Sequence, residues 1–443
     1  MTFGTTVPPP NRPGQPLTQP AGGDTDAGMP RLLPTHGAVP VDLASHLHRF
    51  GRLRYAGQAG RLIPVLKAAG LTGRGGAAFP VYRKLAAVAQ AGTRPVVIGN
   101  GAEGEPASDK DKSLLWISPH LVLDGLQLAA EAVGSGAVGL YLNRHPRLLE
   151  ALRAALAERA AAGLDLAAVE IFDAPPRFLA GEESALASRV NGGPARPRFK
   201  PPMVFERGVA GRPTLVHNVE TLAHLALIAR FGPHWFRAAG TADEPGSMLC
   251  TLHQADGRRD VVETELGTPL RSLLTLDTST QAVLSGGYHG AWLPAADAAQ
   301  MTLSNADLEP AGAFVGAGVL AALPADRCGI AEAARVARYL ALESAGQCGP
   351  CFNGLPRMAA ALAELASPRP DPRAVTDMFR WAGLVQGRGA CHHPDGSVRF
   401  IRSALHVFRD EITQHGQGRC VDPARRPFLP LPADNPLSLA DWS

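Results

Sequence analysis

The chain has 443 residues, of which 45% are hydrophobic, and a formal net charge of +3. That is enough material for two or three separate cores, and the charge is too balanced for wholesale disorder or a nucleic-acid footprint. No apolar run reaches the ~18 residues that suggest a membrane span, and the Pro- and Gly-rich start lacks the layout of a signal peptide, so a cytoplasmic protein is expected.

In chain order, residues 1–40 hold few large apolar groups and predict a disordered extension. From 41 to 240, short apolar runs alternate with helical patterns. RPVVIGN (94–100), GAVGLYLN (136–143) and AAVEIFDA (167–174) predict buried strands, while 113–134 and 145–163 carry helical periodicity. Such alternation predicts an α/β domain with largely parallel strands. Residues 241–300 change character: SMLCTLHQ, VVETELGTPLRSLL and QAVLSGGYHG predict a small β-rich domain with one short helix. Between 301 and 418 the pattern is helical, with four amphipathic stretches suited to a bundle, and 419–443 is a Pro-rich extended tail.

Three loops attract notice. LTGRGGAAFP (71–80) sets Gly73, Gly75 and Gly76 before a helix, where bare backbone admits a planar ring or a phosphate; an ordinary tight turn is the alternative. GNGAEGEP (99–106) places Glu103 and Glu105 where a buried strand ends, the usual ligand edge of an open α/β sheet, although a solvated acidic turn has the same composition. FLAGEESALASRVNGGPARPRFKPP (178–202) joins Gly181, Glu182 and Glu183 to a basic strip, Arg196, Arg198 and Lys200, that suits a pyrophosphate or simply solvent. Lysine occurs at only five positions (67, 84, 110, 112 and 200), and four of them fall in or beside these motifs.

Six cysteines in a reducing compartment favour metal, cluster or redox use over disulfides. Cys348 and Cys351 form a C-x-x-C after a helix, and Cys391 follows beside His392 and His393. The helical surroundings disfavour a thioredoxin-like pair. A Cys₃His zinc site and a [4Fe–4S] cluster both remain compatible with the spacing.

Taken in order, GLTGRGGAAFP, NGAEGEP, GEESAL, PRFKPP, PTLVHNVETL and ESAGQCGPC resemble the NADH-oxidising flavoprotein subunits of respiratory NADH:quinone oxidoreductase and the diaphorase subunits of related hydrogenases and formate dehydrogenases. The resemblance runs from about 55 to 415. It implies a Rossmann-like domain for FMN and NADH, a ubiquitin-like β-grasp domain and a C-terminal four-helix bundle bearing a [4Fe–4S] cluster. It places Gly73, Arg74, Gly75, Gly76, Lys84, Asn100, Glu103, Gly181, Glu182, Asn218 and Thr221 around FMN, with Arg74 near its phosphate. Phe79, Glu105, Glu183 and Lys200 would face the nicotinamide nucleotide. Hydride would pass to the flavin without a catalytic acid or base.

The chain departs from the family pattern at three places. Ala345 stands where the first cluster cysteine belongs, leaving Cys348, Cys351 and Cys391, so the site recruits a substitute, works with three thiolates or is lost. Cys420 is the preferred substitute, ahead of Cys328 and His392. Ala102 replaces an expected aspartate, and Met203, with Phe205 nearby, replaces an aromatic residue. The expected activity is NAD(P)H:acceptor oxidoreduction, with electrons leaving to a [2Fe–2S] or ferredoxin-like protein or to a membrane-bound acceptor that would hold the chain peripherally on the inner face of the membrane. The competing expectations are a flavin electron carrier that ignores nicotinamide and a non-catalytic scaffold with structural zinc.

Overall fold

A computed structural model describes residues 29–34, 39–53, 59–92, 94–432 and 439–442. The first unit comprises α1 (Leu43–Phe50), α2 (Ala59–Ala69), α3 (Val81–Ala89), β1 (Val96–Gly101), α4 (Lys110–Ile117), α5 (Pro119–Val133), β2 (Ala137–Asn143), α6 (Pro146–Ala161), β3 (Val169–Ala174), α7 (Glu183–Val190), β4 (Thr214–Asn218) and α8 (Val219–Arg237). Its four strands are all parallel, in the order β3-β2-β1-β4. Side chains alternate across this sheet as strand pleating requires. Val97, Leu140 and Leu215 join the core under α5 and α8, whereas Ile98, Tyr141 and Val216 face Leu186 and Ala187 of α7.

The helical pattern over 113–134 is two helices, because Pro119 lacks the N–H that would continue α4 and begins α5 instead. The strand β4, hidden in the motif PTLVHNVETL, adds an edge that alternation did not mark. The expected disordered extension over 1–40 needs correcting where it is described. Arg31, Leu32 and Leu33 are buried, and the Glu263 carboxylate accepts from all three of their amides. Residues 1–28 and 35–38 lie outside the described residues.

The second unit contains β5 (Ser247–His253), β6 (Arg259–Glu265), α9 (Leu270–Leu273), β7 (Thr280–Ser285), β8 (Ala291–Pro294), α10 (Ala295–Ala298), α11 (Asn305–Leu308) and β9 (Val319–Pro324). Its sheet runs β6-β5-β9-β7-β8, with β9 parallel to β5 and antiparallel to β7. The expected boundary at 300 therefore falls short, since the central strand lies beyond it. Alternate residues of β9 serve two cores: Leu320 and Ala322 face α9 and α11, while Val319, Ala321 and Leu323 face the C-terminal helices.

Those helices are α12 (Gly329–Leu342), α13 (Leu355–Leu365), α14 (Arg373–Val385), α15 (His393–Val407) and α16 (Arg409–Gly416). Five helices replace the expected four because the stretch ending at 415 breaks between Val407 and Arg409. The tail is not free of the fold. Leu429 is buried, its amide donating to Glu332 of α12 at 2.6 Å, and Leu439–Trp442 form a 3₁₀ turn.

Candidate functional site

The parallel sheet brings the loops after β1 and β4 to one edge, since Asn100 and Asn218 are register partners. The glycine loop is closed by the Gly73 amide donating to the Phe79 carbonyl (2.9 Å) and the Val81 amide donating to the Leu71 carbonyl (3.1 Å). Its Arg74 amide donates to Thr221 Oγ1 at 2.8 Å, which ties the loop to the first turn of α8. Asn218 caps that helix through the Glu220 amide, and its Nδ2 donates to Asp111 Oδ2 at 2.7 Å. Asn100 Nδ2 donates to the Gly181 carbonyl at 2.8 Å. Thus the three loops singled out in the sequence meet at this edge.

Two of the expected residues turn their side chains to protein partners. The Arg74 guanidinium turns inward, donating to Thr72 Oγ1 and the Pro245 carbonyl, and burial lowers its pKa. Glu103 is spent on the start of α4, where it accepts from Ser108 Oγ and from the amides of Asp111 and Lys112. Both side chains are thus engaged within the protein.

The charged rim is a compact set. Lys84 Nζ donates to Glu183 Oε2 (2.7 Å) and to the Val216 carbonyl (3.1 Å). Lys200 Nζ bridges Glu182 Oε1 at 2.8 Å and Glu183 Oε1 at 3.4 Å. Burial pulls the Glu183 carboxyl up, but Lys84 and Lys200 outweigh it and hold it below the usual range. Glu182 also caps α7, accepting from the Ser184 and Ala185 amides. Phe79 is 52% exposed and Phe199 77% exposed, whereas Phe205 packs onto the core of the first unit. Of these, Phe199 was missed in the sequence, although its place beside Lys200 in PRFKPP could have marked it.

Glu105 turns toward the second unit. Its Oε2 accepts from the Tyr288 amide at 2.8 Å and its Oε1 from the Ala107 amide at 3.3 Å, and burial raises its pKa to about 7. Just before it, Gly104 has no room for a side chain, because a Cβ there would stand 2.5 Å from the Phe178 carbonyl oxygen. A buried network also escaped the sequence reading. Lys110 Nζ contacts Asp111 Oδ1 (2.7 Å) and Glu220 Oε2 (2.8 Å), and Glu220 Oε1 accepts from the Leu249 amide of β5. The scarcity of lysine was its only sequence signal.

Two buried polar atoms at this edge, Arg74 Nε and His217 Nε2, have no partner among the described residues. Burial, with Lys84 nearby, lowers the His217 pKa to about 3, so its ring is neutral. Unspent hydrogen-bonding capacity beside a glycine loop and paired asparagines suits a polar planar ligand such as a flavin.

The cysteines Cys348, Cys351 and Cys391 gather where the turn Pro350–Gly354 meets the start of α15. Burial pushes the Cys351 thiol up to about 12, with Ser344, Cys348 and Cys391 as neighbours. Cys391 also feels the charges of Glu182 and Lys200. Ala345 is buried against Leu179 and Trp442 and offers no ligand atom. His393 is committed elsewhere, with Nε2 on the Leu340 carbonyl and Nδ1 on His289, while His392 is exposed. Cys420, the substitute expected from the sequence, stands with Cys328 and His415 instead. The 14 residues of α12 separate that group from Ala345, a distance of about 21 Å at 1.5 Å per residue. The chain thus fits three of the four thiolate positions of a cluster.

The Nuo51 FMN-binding domain matches residues 66–227, and the NADH-ubiquinone oxidoreductase-F iron-sulfur binding region matches 331–415. The NADH-quinone oxidoreductase-F protein of Streptomyces coelicolor is 30% identical over 391 residues, covering 82% of this chain and 85% of that protein. The chain belongs to the NADH-quinone oxidoreductase-F family. A second member, from Rhizobium meliloti, is 27% identical, over 81% of this chain and 89% of its own length. Among solved structures, a chain of an NAD⁺-reducing [NiFe]-hydrogenase in the air-oxidized state superposes with a TM-score of 0.75 at 29% identity. The match covers 82% of this chain and 63% of the hydrogenase chain, which is therefore considerably longer. Among the described residues, no helix is long and apolar enough to cross a membrane.

Proposed function

We propose that this chain oxidises NADH with FMN and passes the electrons through an iron–sulfur cluster to a partner protein. One observation carries the reading: a single loop, 177–183, touches both candidate cofactor sites. Its Gly181 carbonyl accepts from Asn100 at the flavin edge. Its Phe178 amide donates to Glu343 Oε2 at 2.8 Å, and the Phe178 ring packs against His289 and His393 beside the cysteines. Such adjacency is what one-electron transfer out of a flavin site needs.

FMN would be held by the 73–76 backbone, Lys84, Asn100, Gly181, Asn218 and Thr221, with Arg74, Glu103 and Glu182 bracing the loops. When bound, FMN supplies a two-electron acceptor for hydride and a one-electron donor to iron–sulfur centres. The exposed rings of Phe79 and Phe199 offer stacking faces for the nucleotide, and Lys200 and Glu183 offer paired charge for its phosphates and hydroxyls. Near neutral pH Glu105 can retain a proton on its carboxyl, which places a donor at the junction with the second unit. Cys348, Cys351 and Cys391 would hold the cluster through three thiolates.

In architectural terms we assign 41–240 to a Rossmann-like domain, 241–324 to a ubiquitin-like β-grasp domain on its strand order, and 325–418 to a bundle extended by α16. A [2Fe–2S] or ferredoxin-like protein, free or part of a membrane-associated assembly, suits as acceptor.

Spectra of anaerobically purified protein test the proposal. Flavin bands that bleach on adding NADH, with a broad reducible iron–sulfur absorbance, are the expected result. A colourless protein would overturn it, and a flavin that stays oxidised would remove the nicotinamide half.

A further inference from the structure

At the other end of α12 from the three cysteines lies a group that neither the flavin site nor the iron–sulfur site uses. The side-chain ligand atoms of Cys328, His415 and Cys420 all lie within 4.8 Å of one another, a grouping of three not repeated among the described residues. Cys328 and Cys420 both fall outside the matched iron–sulfur region, 331–415. Cys328 and His415 are buried and Cys420 is half-buried.

The hydrogen bonding around the group sets the chemistry of each donor. His415 Nδ1 lies 3.0 Å from the Leu365 carbonyl, which can only accept, so Nδ1 carries the proton. Its Nε2 is left with a lone pair facing Cys328 Sγ at 3.5 Å. A ligating histidine is typically fixed in this way, with its second nitrogen donating to a backbone carbonyl. Glu411, one helical turn before His415 on α16, brings Oε2 to 3.4 Å from Cys328 Sγ. Its carboxylate is oriented by the Gly329 and Ile330 amides, at 3.1 and 3.0 Å. Cys328 itself caps α12, accepting from the Ala331 amide.

Donor chemistry and spacing together favour zinc. A tetrahedral zinc with bonds of ~2.3 Å to sulfur and ~2.05 Å to nitrogen or oxygen sets those ligand atoms about 3.6 Å apart. The two separations from Cys328 Sγ, 3.5 Å to His415 Nε2 and 3.4 Å to Glu411 Oε2, match that geometry, and the Cys420 thiol lies within 4.8 Å of both Cys328 and His415. Two thiolates, an imidazole and a carboxylate are also a donor set that zinc accepts.

We propose that Cys328, His415 and Cys420 form a structural zinc site that fastens the segment after α16 to the start of α12, with Glu411, outside the 4.8 Å group but against Cys328, drawn in as the fourth donor on binding. Binding displaces the two thiol protons to solvent and draws its stabilisation from closing the long loop between Cys328 and Cys420.

Metal analysis of the full chain, purified anaerobically from zinc-supplemented cells, provides the test, with Co²⁺ as the spectroscopic probe on metal-stripped protein. The expected result is stoichiometric zinc beside the iron, and a thiolate-to-cobalt charge-transfer band with the visible bands of a tetrahedral ion. Cys420→Ser should weaken Co²⁺ binding by more than the ~10–100-fold that loss of an outer-shell partner costs, leaving flavin and iron content unchanged. Wild-type protein without zinc or a cobalt band, its Cys328 and Cys420 found as free thiols or as a disulfide, would overturn the proposal without needing any variant. Loss of iron rather than zinc in Cys420→Ser would overturn it equally, by returning Cys420 to the iron–sulfur site.

Discussion

Glu105 illustrates how much a single side chain on a loop depends on what is packed over it. In sequence it is one of two acids in a flexible turn; in the fold its carboxyl is enclosed between that turn and the Tyr288 amide. Burial raises its pKa from 4.5 to about 7, above its value in the unfolded chain. Its contribution to stability is therefore complete below about 4.5 and is lost as pH rises through about 7. Thermal unfolding followed across that window should show a loss of stability in wild-type protein that Glu105→Gln flattens, because glutamine can still accept from Tyr288 without ionising. An unchanged slope in the variant would assign the pH dependence to another group. Glu103, two residues earlier, is engaged by amide donors at the start of α4.

Among the elements, α5 and α8 carry the tightest packing of the first unit. Of the 15 residues of α5, only Glu131 is not buried, so this helix is core on every side. The contact with α8 depends on Gly125, where a Cβ would stand 1.9 Å from the Leu222 carbonyl oxygen, a separation that backbone cannot relieve by a rotamer change. Gly125→Ala should force the helices apart and cost about 2 kcal/mol or more, despite alanine's better helix propensity. Denaturant unfolding would measure this, and a neutral or stabilising effect would show that the two helices have slack to separate. Because Asn218 caps α8 and Thr221 of its first turn holds the Arg74 amide, a shift of its axis would also displace the glycine loop, so weakened flavin retention should accompany the loss of stability.

For the whole molecule, the decisive contacts are those that join the units around the site. Lys110, Asp111 and Glu220 lie buried between the first unit and β5, where Glu220 also holds the Leu249 amide. Burial pulls the Glu220 carboxyl up, yet Lys110, His224 and Arg74 together outweigh it and keep the pKa at about 2. Removing one partner of a buried pair leaves the other charge insufficiently compensated, so Glu220→Ala should cost ~3–5 kcal/mol. It should also loosen β5 from α4, which hydrogen exchange at Leu249 would reveal. Protection at Leu249 equal to wild type would mean that apolar packing alone holds the units together. On the other side, Arg177 pairs with Glu343 at 3.1 Å and stacks over Trp442 at 4.2 Å, linking loop, bundle and chain end in one place.

The sequence by itself determined the order of the units, the parallel strands β1–β3 and the loops that meet at the flavin edge. These are local signals: apolar periodicity, glycines placed before a helix, and six motifs in a family order. It also showed that a thiolate is missing at Ala345. That Cys420 stands elsewhere was decided by the fold, since α12 separates it from Ala345. The same holds for β9, which is as apolar as a helix segment until its pairing with β5 and β7 places it at the centre of a sheet. Likewise only packing made Lys110, Glu220 and His217 buried residues, and brought Cys328, His415 and Cys420 together. Burial and long-range proximity arise from contacts among residues tens to hundreds of positions apart, and no local pattern records them.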